Sequence, residues 1–422
     1  MADIDPPQLL APPRPEPRIV TLGCRLNLAE SEAIRALIAG RDSVVINSCA
    51  VTNEAVVETR AAIRRARRAS PNAELIVTGC AAQIDPHAFA AMPEVDRVIG
   101  NAVKHDRAAW NSRDPLIVPD MATATAVAAP TTSFTGHARA FVEVQNGCDH
   151  RCTFCAIPFG RGDSRSLPAG AVIDQIAALV DAGHREVVLT GVDLTSYGHD
   201  LPGQPSLGHL VERILRYVPA LERLRLSSLD SIEIDDRLFE LVTGEARIMP
   251  HLHLSLQAGD DMILKRMKRR HSRAQALAII ERLKARRPDI AIGADLIAGF
   301  PTEDEAMFAN TLALIDDARI VHAHIFPYSP RDGTPAARMP QVPPPIRKER
   351  AAQLRDTAQR QRAAWLAAQI GTVQPVLVER PGTRGHAPNF AEVRWESPAP
   401  AGSIIPVRVT AADQNHLIGT LL

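Results

Sequence analysis

The sequence predicts an α/β protein of several domains, and three patterns along the chain carry this prediction. Near the N-terminus, a short apolar strand followed by a helical stretch occurs three times. Six further strand-then-helix units occupy residues 139–330. The tail after residue 372 changes to short apolar runs separated by Gly/Pro turns. Alternating strands and helices predict parallel sheets, because parallel strands need a crossover, whereas the tail predicts a small antiparallel β-barrel.

The composition is typical of a soluble protein with large cores. A chain of 422 residues that is 45% apolar is expected to form about two or three domains. The formal net charge of zero leaves only local patches as candidates for nucleic-acid contact. No apolar run reaches the roughly 18 residues of a membrane span, so we expect a cytoplasmic protein without membrane contact. In that reducing compartment the six cysteines favour metal ligands over disulfides.

The N-terminal part consists of a lead-in and a first domain. Residues 1–17 are rich in proline and lack periodicity, so we interpret them as disordered. The domain is predicted over residues 18–110, because its strands are rich in β-branched residues and helical patterns follow them. Its strands and helices are predicted at residues 18–22, 28–39, 42–46, 54–69, 73–77 and 81–91.

Each of these three strands runs into a cysteine, namely Cys24, Cys49 and Cys80. The C-terminal ends of parallel strands lie along one edge of a sheet, so we expect the three thiols to meet. A single buried cysteine at a strand end is most simply a small apolar residue. Three cysteines in register instead indicate a metal cluster with one open position.

A second group of thiols follows the first strand of the central domain. Cys148, Cys152 and Cys155 come directly after the predicted strand 140–145 and the turn Asn146-Gly147. Three thiolates leave one iron of a 4Fe-4S cluster open. Structural zinc is the alternative, but it needs a fourth ligand, and His150 inside the first gap is the nearby candidate. The spacing Cys-x3-Cys-x2-Cys favours iron–sulfur over zinc.

The central domain is predicted over residues 139–340, after a linker at 111–138. Its strands are predicted at residues 140–145, 186–190, 223–227, 252–256, 291–297 and 321–326. Six such units could form a partial barrel or an open sheet, and both place ligands at the C-terminal strand ends. A bridging helix within 341–371 and a small antiparallel domain at 372–422 complete the chain.

The densest basic patch of the chain follows a predicted rim loop. Such a run is explained by a solvated helix face or by contact with a nucleic-acid backbone, which would be sequence-independent and sensitive to salt. We favour the RNA contact because of the position beside the rim. The patch comprises Lys265, Arg266, Lys268, Arg269, Arg270 and Arg273.

Both groups of cysteines resemble those of one enzyme family. The Cys148 triplet resembles the signature of the radical S-adenosylmethionine enzymes. Three N-terminal segments look like the first domain of the methylthiotransferases, the branch of that family with two clusters. These segments are Leu22-Gly23-Cys24-Arg25-Leu26-Asn27, Val45-Ile46-Asn47-Ser48-Cys49-Ala50-Val51-Thr52 and Thr78-Gly79-Cys80-Ala81, with Ser48 where the family usually has Thr.

The resemblance implies two 4Fe-4S clusters and S-adenosyl-L-methionine as cofactors, within a partial (β/α)6 TIM-like barrel. It assigns the central triplet to the cluster whose open iron is chelated by S-adenosylmethionine. Cys24, Cys49 and Cys80 would hold the auxiliary cluster, which is associated with the transferred sulfur. The strand-end segments resemble the S-adenosylmethionine rim of the family, with Gly191, Ser255, Gln257 and Asp295 as candidate contacts.

The tail resembles the TRAM domain of RNA-modifying enzymes, with Arg380, Arg384, His386, Asn389 and Phe390 in its long turn. Segment 23–32 most resembles the branch that adds a 2-methylthio group to threonylcarbamoyladenosine at position 37 of tRNA. The implied partners are a tRNA anticodon stem-loop and an electron donor such as flavodoxin or ferredoxin, and we expect a monomer. Prenylated adenosine or a ribosomal-protein aspartate as substrate, or a non-catalytic zinc-stabilised RNA-binding protein, stay open.

Overall fold

A computed structural model describes residues 16–124, 134 and 136–422. The predictions for residues 1–15, and for residues 125–133 and 135 of the expected linker, lie outside this set. No helix among the described residues has the length and apolar character that a membrane crossing requires. The described chain folds into a parallel α/β domain, a partial β/α barrel and a small closed β-barrel.

The N-terminal domain is a five-stranded parallel sheet in the order β1-β2-β3-β4-β5. Its elements are β1 (Arg18–Thr21), α1 (Arg25–Leu37), β2 (Ser43–Ser48), α2 (Asn53–Ala69), β3 (Glu74–Gly79), α3 (Cys80–Ile84), α4 (Pro86–Ala90), β4 (Arg97–Ile99), α5 (Arg107–Asn111) and β5 (Leu116–Ile117). The predicted first three strands are confirmed. The linker prediction is wrong where β5 pairs with β4, because strands of two or three residues are too short to show periodicity.

The central domain has six parallel strands in chain order, with the third divided into β10 and β11. Its elements are β6 (Ala140–Glu143), β7 (Gln145–Asn146), α6 (Ile157–Arg161), β8 (Arg165–Ser166), α7 (Ala169–Asp181), β9 (Glu186–Thr190), α8 (Leu207–Tyr217), β10 (Arg223–Leu226), β11 (Ser228–Leu229), α9 (Asp236–Gly244), β12 (His251–Gln257), α10 (Asp261–Arg266), α11 (Arg273–Arg286), β13 (Ala291–Ala298), α12 (Glu305–Asp317) and β14 (Ile320–Pro327).

The two faces of this sheet differ in polarity, as expected for a partial barrel with helices outside and a polar lumen. On β12, Leu252, Leu254 and Leu256 are buried in the main apolar core. The alternate residues of the same strand are polar, and they include His253 and Ser255. Successive side chains point to opposite faces of a strand, so the apolar face packs on helices and the polar face lines a lumen.

The C-terminal domain is a closed barrel in the order β15-β16-β17-β19-β18, as the tail predicts, and its strand pairs are antiparallel except that β17 pairs with β19 in parallel. The long helix α13 (Pro344–Ala367) leads into its strands β15 (Val373–Glu379), β16 (Arg384–His386), β17 (Glu392–Arg394), β18 (Ile404–Ala412) and β19 (Leu417–Leu421). The barrel contacts the N-terminal strand ends of the central domain, where Arg225 Nη1 donates to Pro388 O at 3.1 Å. Arg139 also bridges the two domains, with ion pairs to Glu186 at 2.9 Å and Glu379 at 2.8 Å.

Candidate active site between two cysteine trios

The N-terminal trio lies at the C-terminal edge of the first sheet. Cys24 precedes α1, Cys49 follows β2 and Cys80 begins α3. A Cβ at Gly23, beside Cys24, would lie 3.1 Å from the Cys49 sulfur, and Cys80 begins the helix after the neighbouring strand, so the three thiols lie at one edge of the sheet. Burial raises the pKa of Cys49 to about 11, so binding a metal there must displace a proton from the thiol.

Two residues of the first sheet explain how the thiols approach each other. Ser48 Oγ donates to Thr78 O at 2.5 Å and accepts from Ala82 N at 3.2 Å, which joins the strand end before Cys49 to the helix that carries Cys80. Gly79 has φ of +96°, and a Cβ there would lie 2.4 Å from Ser48 N. Only glycine fits this contact, because an L side chain would be strained and would clash with backbone.

The central triplet lies on one loop that neighbouring elements hold in place. Cys148 N donates to Gly162 O at 3.0 Å, and Thr153 Oγ1 donates to Arg266 O at 2.8 Å. Ile157 N donates to the Cys155 sulfur at 3.4 Å. Burial raises the pKa of Cys148 and of Cys155 to about 12, so these thiols are also protonated before any metal binds.

The two trios face each other across the contact between α3 and α6. A Cβ at Gly160 would lie 3.3 Å from the Cβ of Cys80, so the short helix after the triplet packs directly on the N-terminal trio. The charge of Cys80 also reaches Cys155 of the central triplet. The described cysteines therefore form two groups on either side of the contact between α3 and α6, and their joint role as one site stays a prediction.

A buried arginine joins the two halves of this site. Arg161, at the end of α6, donates from Nε to the Cys80 sulfur at 3.1 Å and is 2% exposed. Its Nη1 donates to Glu30 Oε1 at 2.7 Å, and Lys104 Nζ lies 2.6 Å from the same oxygen. Burial opposes ionisation of Glu30, but the charges of Arg161 and Lys104 hold its pKa well below the usual value. Glu30 is thus the anion that keeps Arg161 beside the thiol.

The chemistry of the two donor sets fits four-iron clusters better than zinc. In the described part of the chain, the sulfurs of neither trio all lie within 4.8 Å of one another. A zinc ion would hold its sulfurs about 3.8 Å apart, given bonds of about 2.3 Å. His150 is occupied elsewhere, 2.8 Å from Asp193. Hydrogen bonds to Asp193 and Glu233 raise its pKa to about 9, so this imidazole is already engaged by carboxylates.

Comparisons with known proteins agree with this geometry. Residues 142–315 match the Radical SAM superfamily, and residues 17–100 match a family described as uncharacterized protein family UPF0004. The chain is 48% identical over 404 residues to a threonylcarbamoyladenosine tRNA methylthiotransferase of Rickettsia prowazekii, which covers 94% of this chain and 96% of that relative. It is 33% identical over 423 residues to the enzyme of the same name from Chlamydia pneumoniae, over 96% of this chain and 98% of the relative.

The chain belongs to the methylthiotransferase family of radical S-adenosylmethionine enzymes.

A further relative has a different named substrate. The tRNA-2-methylthio-N(6)-dimethylallyladenosine synthase of Erythrobacter litoralis is 32% identical over 434 residues, covering 96% of this chain and 97% of the relative.

Among solved structures, the radical S-adenosylmethionine methyltransferase TsrM from Kitasatospora setae superposes with a TM-score of 0.54 at 14% identity, over 73% of this chain and 66% of that chain. This likeness supports the fold. Methylthiotransferases of this family use S-adenosylmethionine and 4Fe-4S clusters.

The predicted S-adenosylmethionine contacts of this methylthiotransferase lie around the C-terminal rim of the barrel. Gly191 follows β9, where a Cβ would lie 2.9 Å from Gln145 Oε1. Ser255 Oγ lies 2.8 Å from Ser228 Oγ, and Gln257 ends β12 with φ of +69°. Asp295 Oδ1 is 3.0 Å from His253 Nε2. Their roles as cofactor contacts stay predictions, and Asp295 lies deeper on its strand than the others.

The basic patch divides into two parts in this methylthiotransferase. Lys265, Lys268 and Arg270 are exposed, whereas Arg266 is partly buried and donates to Thr302 O at 3.2 Å. The side chain of Arg269 is only 9% exposed and donates to Asp230 Oδ2 at 2.9 Å, to Ser255 O at 2.8 Å and to the Cys152 sulfur at 3.7 Å. An outward phosphate contact by Arg269 is therefore wrong, because this side chain points into the barrel.

Sequence reasoning missed the side chains that support the thiols. Arg161 contacts Cys80 across 81 positions of sequence, and Arg269 contacts Cys152 across 117. No local pattern marks such pairs. The one local signal for Arg161 is its position shortly after the cysteine triplet. In the long turn of the C-terminal domain, Phe390 lies 5.0 Å from His251 between ring centroids and faces the central barrel.

Proposed function

We propose that this methylthiotransferase adds a methylthio group to C2 of N6-threonylcarbamoyladenosine at position 37, next to the anticodon of tRNA. The observation that carries the proposal is the 48% identity, over nearly the whole chain, to a relative named for that reaction. The facing cysteine trios support the same chemistry, since the reaction needs one site for radical formation and another for sulfur. The enzyme would act in the cytoplasm as a monomer.

We assign the cofactors by trio. Cys148, Cys152 and Cys155 hold the cluster to which S-adenosylmethionine binds, with Gly191, Ser255, Gln257 and Asp295 as the candidate contacts of that molecule. Cys24, Cys49 and Cys80 hold the auxiliary cluster. When bound, these groups supply the radical and the sulfur, which amino-acid side chains cannot provide.

The protein's own side chains position these groups and keep water out. Arg161 and Arg269 each donate a hydrogen bond to a ligand sulfur, which stabilises the thiolate form that a metal needs. Both are paired with buried carboxylates, so their guanidinium groups stay fixed. Phe390, with the Arg225 guanidinium 4.8 Å from its ring centroid, closes the floor of the barrel. The reacting carbon therefore enters from the rim, between the trios.

Exposed cations near the rim are suited to hold the tRNA. Lys265 and Lys268 flank the end of α10, directly before Arg269, and both are exposed. Phosphate contacts of this kind orient an RNA without reading its sequence. An electron donor such as flavodoxin or ferredoxin would supply the electrons that the reaction consumes, because the chain does not generate them.

The substrate is tested by mass spectrometry of tRNA nucleosides from a deletion strain. We expect 2-methylthio-threonylcarbamoyladenosine to disappear while its unmethylthiolated precursor accumulates, and a plasmid copy of the gene to restore it. A copy with Cys24→Ala should not restore the product, whereas Arg185→Ala, a change in an exposed ion pair far from the trios, should. Unchanged product in the deletion strain, or loss of the methylthiolated prenyl nucleoside instead, would overturn the proposal.

The metal content separates this enzyme from a zinc-stabilised RNA-binding protein. Anaerobically purified protein should be brown and contain about eight irons per chain. Replacing all three central cysteines should remove about half of the iron and leave the auxiliary cluster in place. A colourless protein with stoichiometric zinc would contradict the assignment.

A further inference from the structure

Three polar side chains form one layer of the barrel lumen below the cysteine triplet. His253 on β12 and His324 on β14 both bond to Oδ1 of Asp295 on β13, at 3.0 Å and 3.2 Å. The two imidazole rings lie side by side, with centroids 4.5 Å apart. The side chain of His253 is 10% exposed and that of His324 is 59% exposed. His253 is thus the buried histidine of this layer, and His324 is the solvent-exposed one.

The hydrogen bonds determine which atom of His324 is available. Burial opposes ionisation of Asp295, but hydrogen bonds from His253 and His324 hold its pKa well below the usual value. An ionised carboxylate only accepts, so Nδ1 of His324 carries the proton it donates. No described residue hydrogen-bonds to Nε2 of His324. His324 borders a cavity of about 430 Å³ at the open edge of the barrel, which His322, Arg355, Arg362 and Phe390 also line.

The layer occupies a defined depth between the triplet and the floor. Residues two apart on a strand share a face and lie about 7 Å apart. One such step above His253 is Ser255, whose carbonyl accepts from Arg269, the arginine that also contacts Cys152. One step below is His251, which packs on Phe390 of the C-terminal barrel. A group held at His324 therefore lies below the reaction centre and above the floor.

We propose that His324, oriented by Asp295 and supported by His253, binds the polar N6 substituent of the substrate adenosine. This inference rests on the proposed function and names the part of the site that selects the substrate. C2 and N6 leave the adenine ring in different directions, so a base whose C2 faces the trios directs its N6 substituent away from them. The threonylcarbamoyl group carries a hydroxyl and urea N–H groups, which can donate a hydrogen bond to the free Nε2 of the imidazole.

The same layer disfavours an apolar substituent. A dimethylallyl group cannot form hydrogen bonds. It would displace water from the imidazole of His324 without replacing the hydrogen bond between that water and the ring. A site built around polar groups discriminates strongly against an analogue that leaves those groups unpaired. The wall formed by His253, Asp295 and His324 thus selects the threonylcarbamoyl nucleoside over the prenylated one, the substrate for which the Erythrobacter relative is named.

The test compares binding of three RNA stem-loops to the holoenzyme by fluorescence anisotropy. They carry threonylcarbamoyladenosine, prenylated adenosine or adenosine at the same position. We expect wild-type enzyme to prefer the first, and His324→Ala to weaken its binding about fivefold, as loss of one neutral hydrogen bond of about 1 kcal/mol predicts. Binding of the other two RNAs should change less than about twofold. His324→Gln, whose side-chain carbonyl is an acceptor, should recover part of the preference.

A matched control variant is Gln359→Ala. Gln359 lines the same cavity from α13, but its side chain bonds to Gln414 and lies outside the lumen layer. It should leave the preference unchanged, and iron content should verify that every variant retains its clusters. If wild-type enzyme methylthiolates the threonylcarbamoyl RNA but His324→Ala keeps the full binding preference, this inference is wrong and the proposed function stands. If wild-type enzyme acts on the prenylated RNA instead, both are wrong.

Discussion

The two cysteine trios each bring three thiols together, but they do so through different parts of the fold. The central triplet lies within eight residues on one loop, so local chain geometry brings its thiols together. Cys24, Cys49 and Cys80 are spread over 57 positions and meet only because three parallel strands end at one sheet edge. A cofactor site can thus be specified by spacing or by topology. A site specified by topology depends on the fold of the whole N-terminal domain and on the central domain that packs against it.

The supporting arginines show the same difference. Arg161 comes from the central domain and contacts a thiol of the N-terminal domain, so the topological trio is completed by another domain. Arg269 supports Cys152 from within the same barrel. We therefore expect changes at Arg161 to affect the N-terminal trio strongly, and changes at Arg269 to leave the metal content intact.

The largest effect is expected for Arg161→Ala. It leaves Glu30 partly unpaired in the interior, which typically costs about 3–5 kcal/mol of unfolding free energy. Iron content should fall by about half, because the N-terminal trio loses its support while the central triplet remains. Iron analysis and thermal unfolding measure both effects, with Arg161→Lys as the control that keeps the charge. Full iron content in the alanine variant would contradict the interdomain role of Arg161.

A smaller effect is expected for Arg269→Gln. This change removes a hydrogen bond to the Cys152 sulfur and the partner of Asp230, which costs about 2–3 kcal/mol. The iron content should stay complete, since the triplet is held by its own loop. The reduction potential of the central cluster should become more negative, because a cation beside it is lost. Electron paramagnetic resonance during a redox titration measures this potential. Loss of iron from the Arg269 variant would contradict the expected difference between Arg269 and Arg161.

Ser48→Ala should have an intermediate to small effect confined to the N-terminal trio. The hydroxyl connects Thr78 O and Ala82 N, so its loss should cost about 1–2 kcal/mol. The auxiliary cluster should then lose iron faster to a chelator, while the central cluster keeps its rate. Ser48→Thr retains the hydroxyl and serves as the control. Equal rates for both clusters would argue against a local role of this bridge.

The smallest structural effect is expected for the double variant Lys265→Ala and Lys268→Ala. Both residues are exposed, so unfolding free energy should change by less than about 0.5 kcal/mol and both clusters should stay intact. The slope of log affinity for tRNA against log salt concentration should fall by about two, one for each phosphate contact. An unchanged slope would place the tRNA on another surface.

Particular residues show what could be predicted from the sequence. The three thiols of the central triplet follow from their spacing, and those of the N-terminal trio from a repeated strand-then-cysteine pattern. The bond between Arg161 and Cys80 could not be predicted, because it depends on how two domains pack. Arg269 looked like its exposed neighbours Lys268 and Arg270, because consecutive charges do not reveal which one turns inward after a helix ends. Strand β5 was missed because two residues have no period.

The contact between Arg161 and the first domain also affects the order in which the N-terminal site is completed during synthesis. A ribosome releases Cys24, Cys49 and Cys80 well before residue 161 is translated. Until then, Glu30 and the Cys80 thiol have no guanidinium between them. The hydrogen bond from Arg161 to Cys80 therefore forms only after a later part of the same polypeptide has been translated and has packed on the first domain.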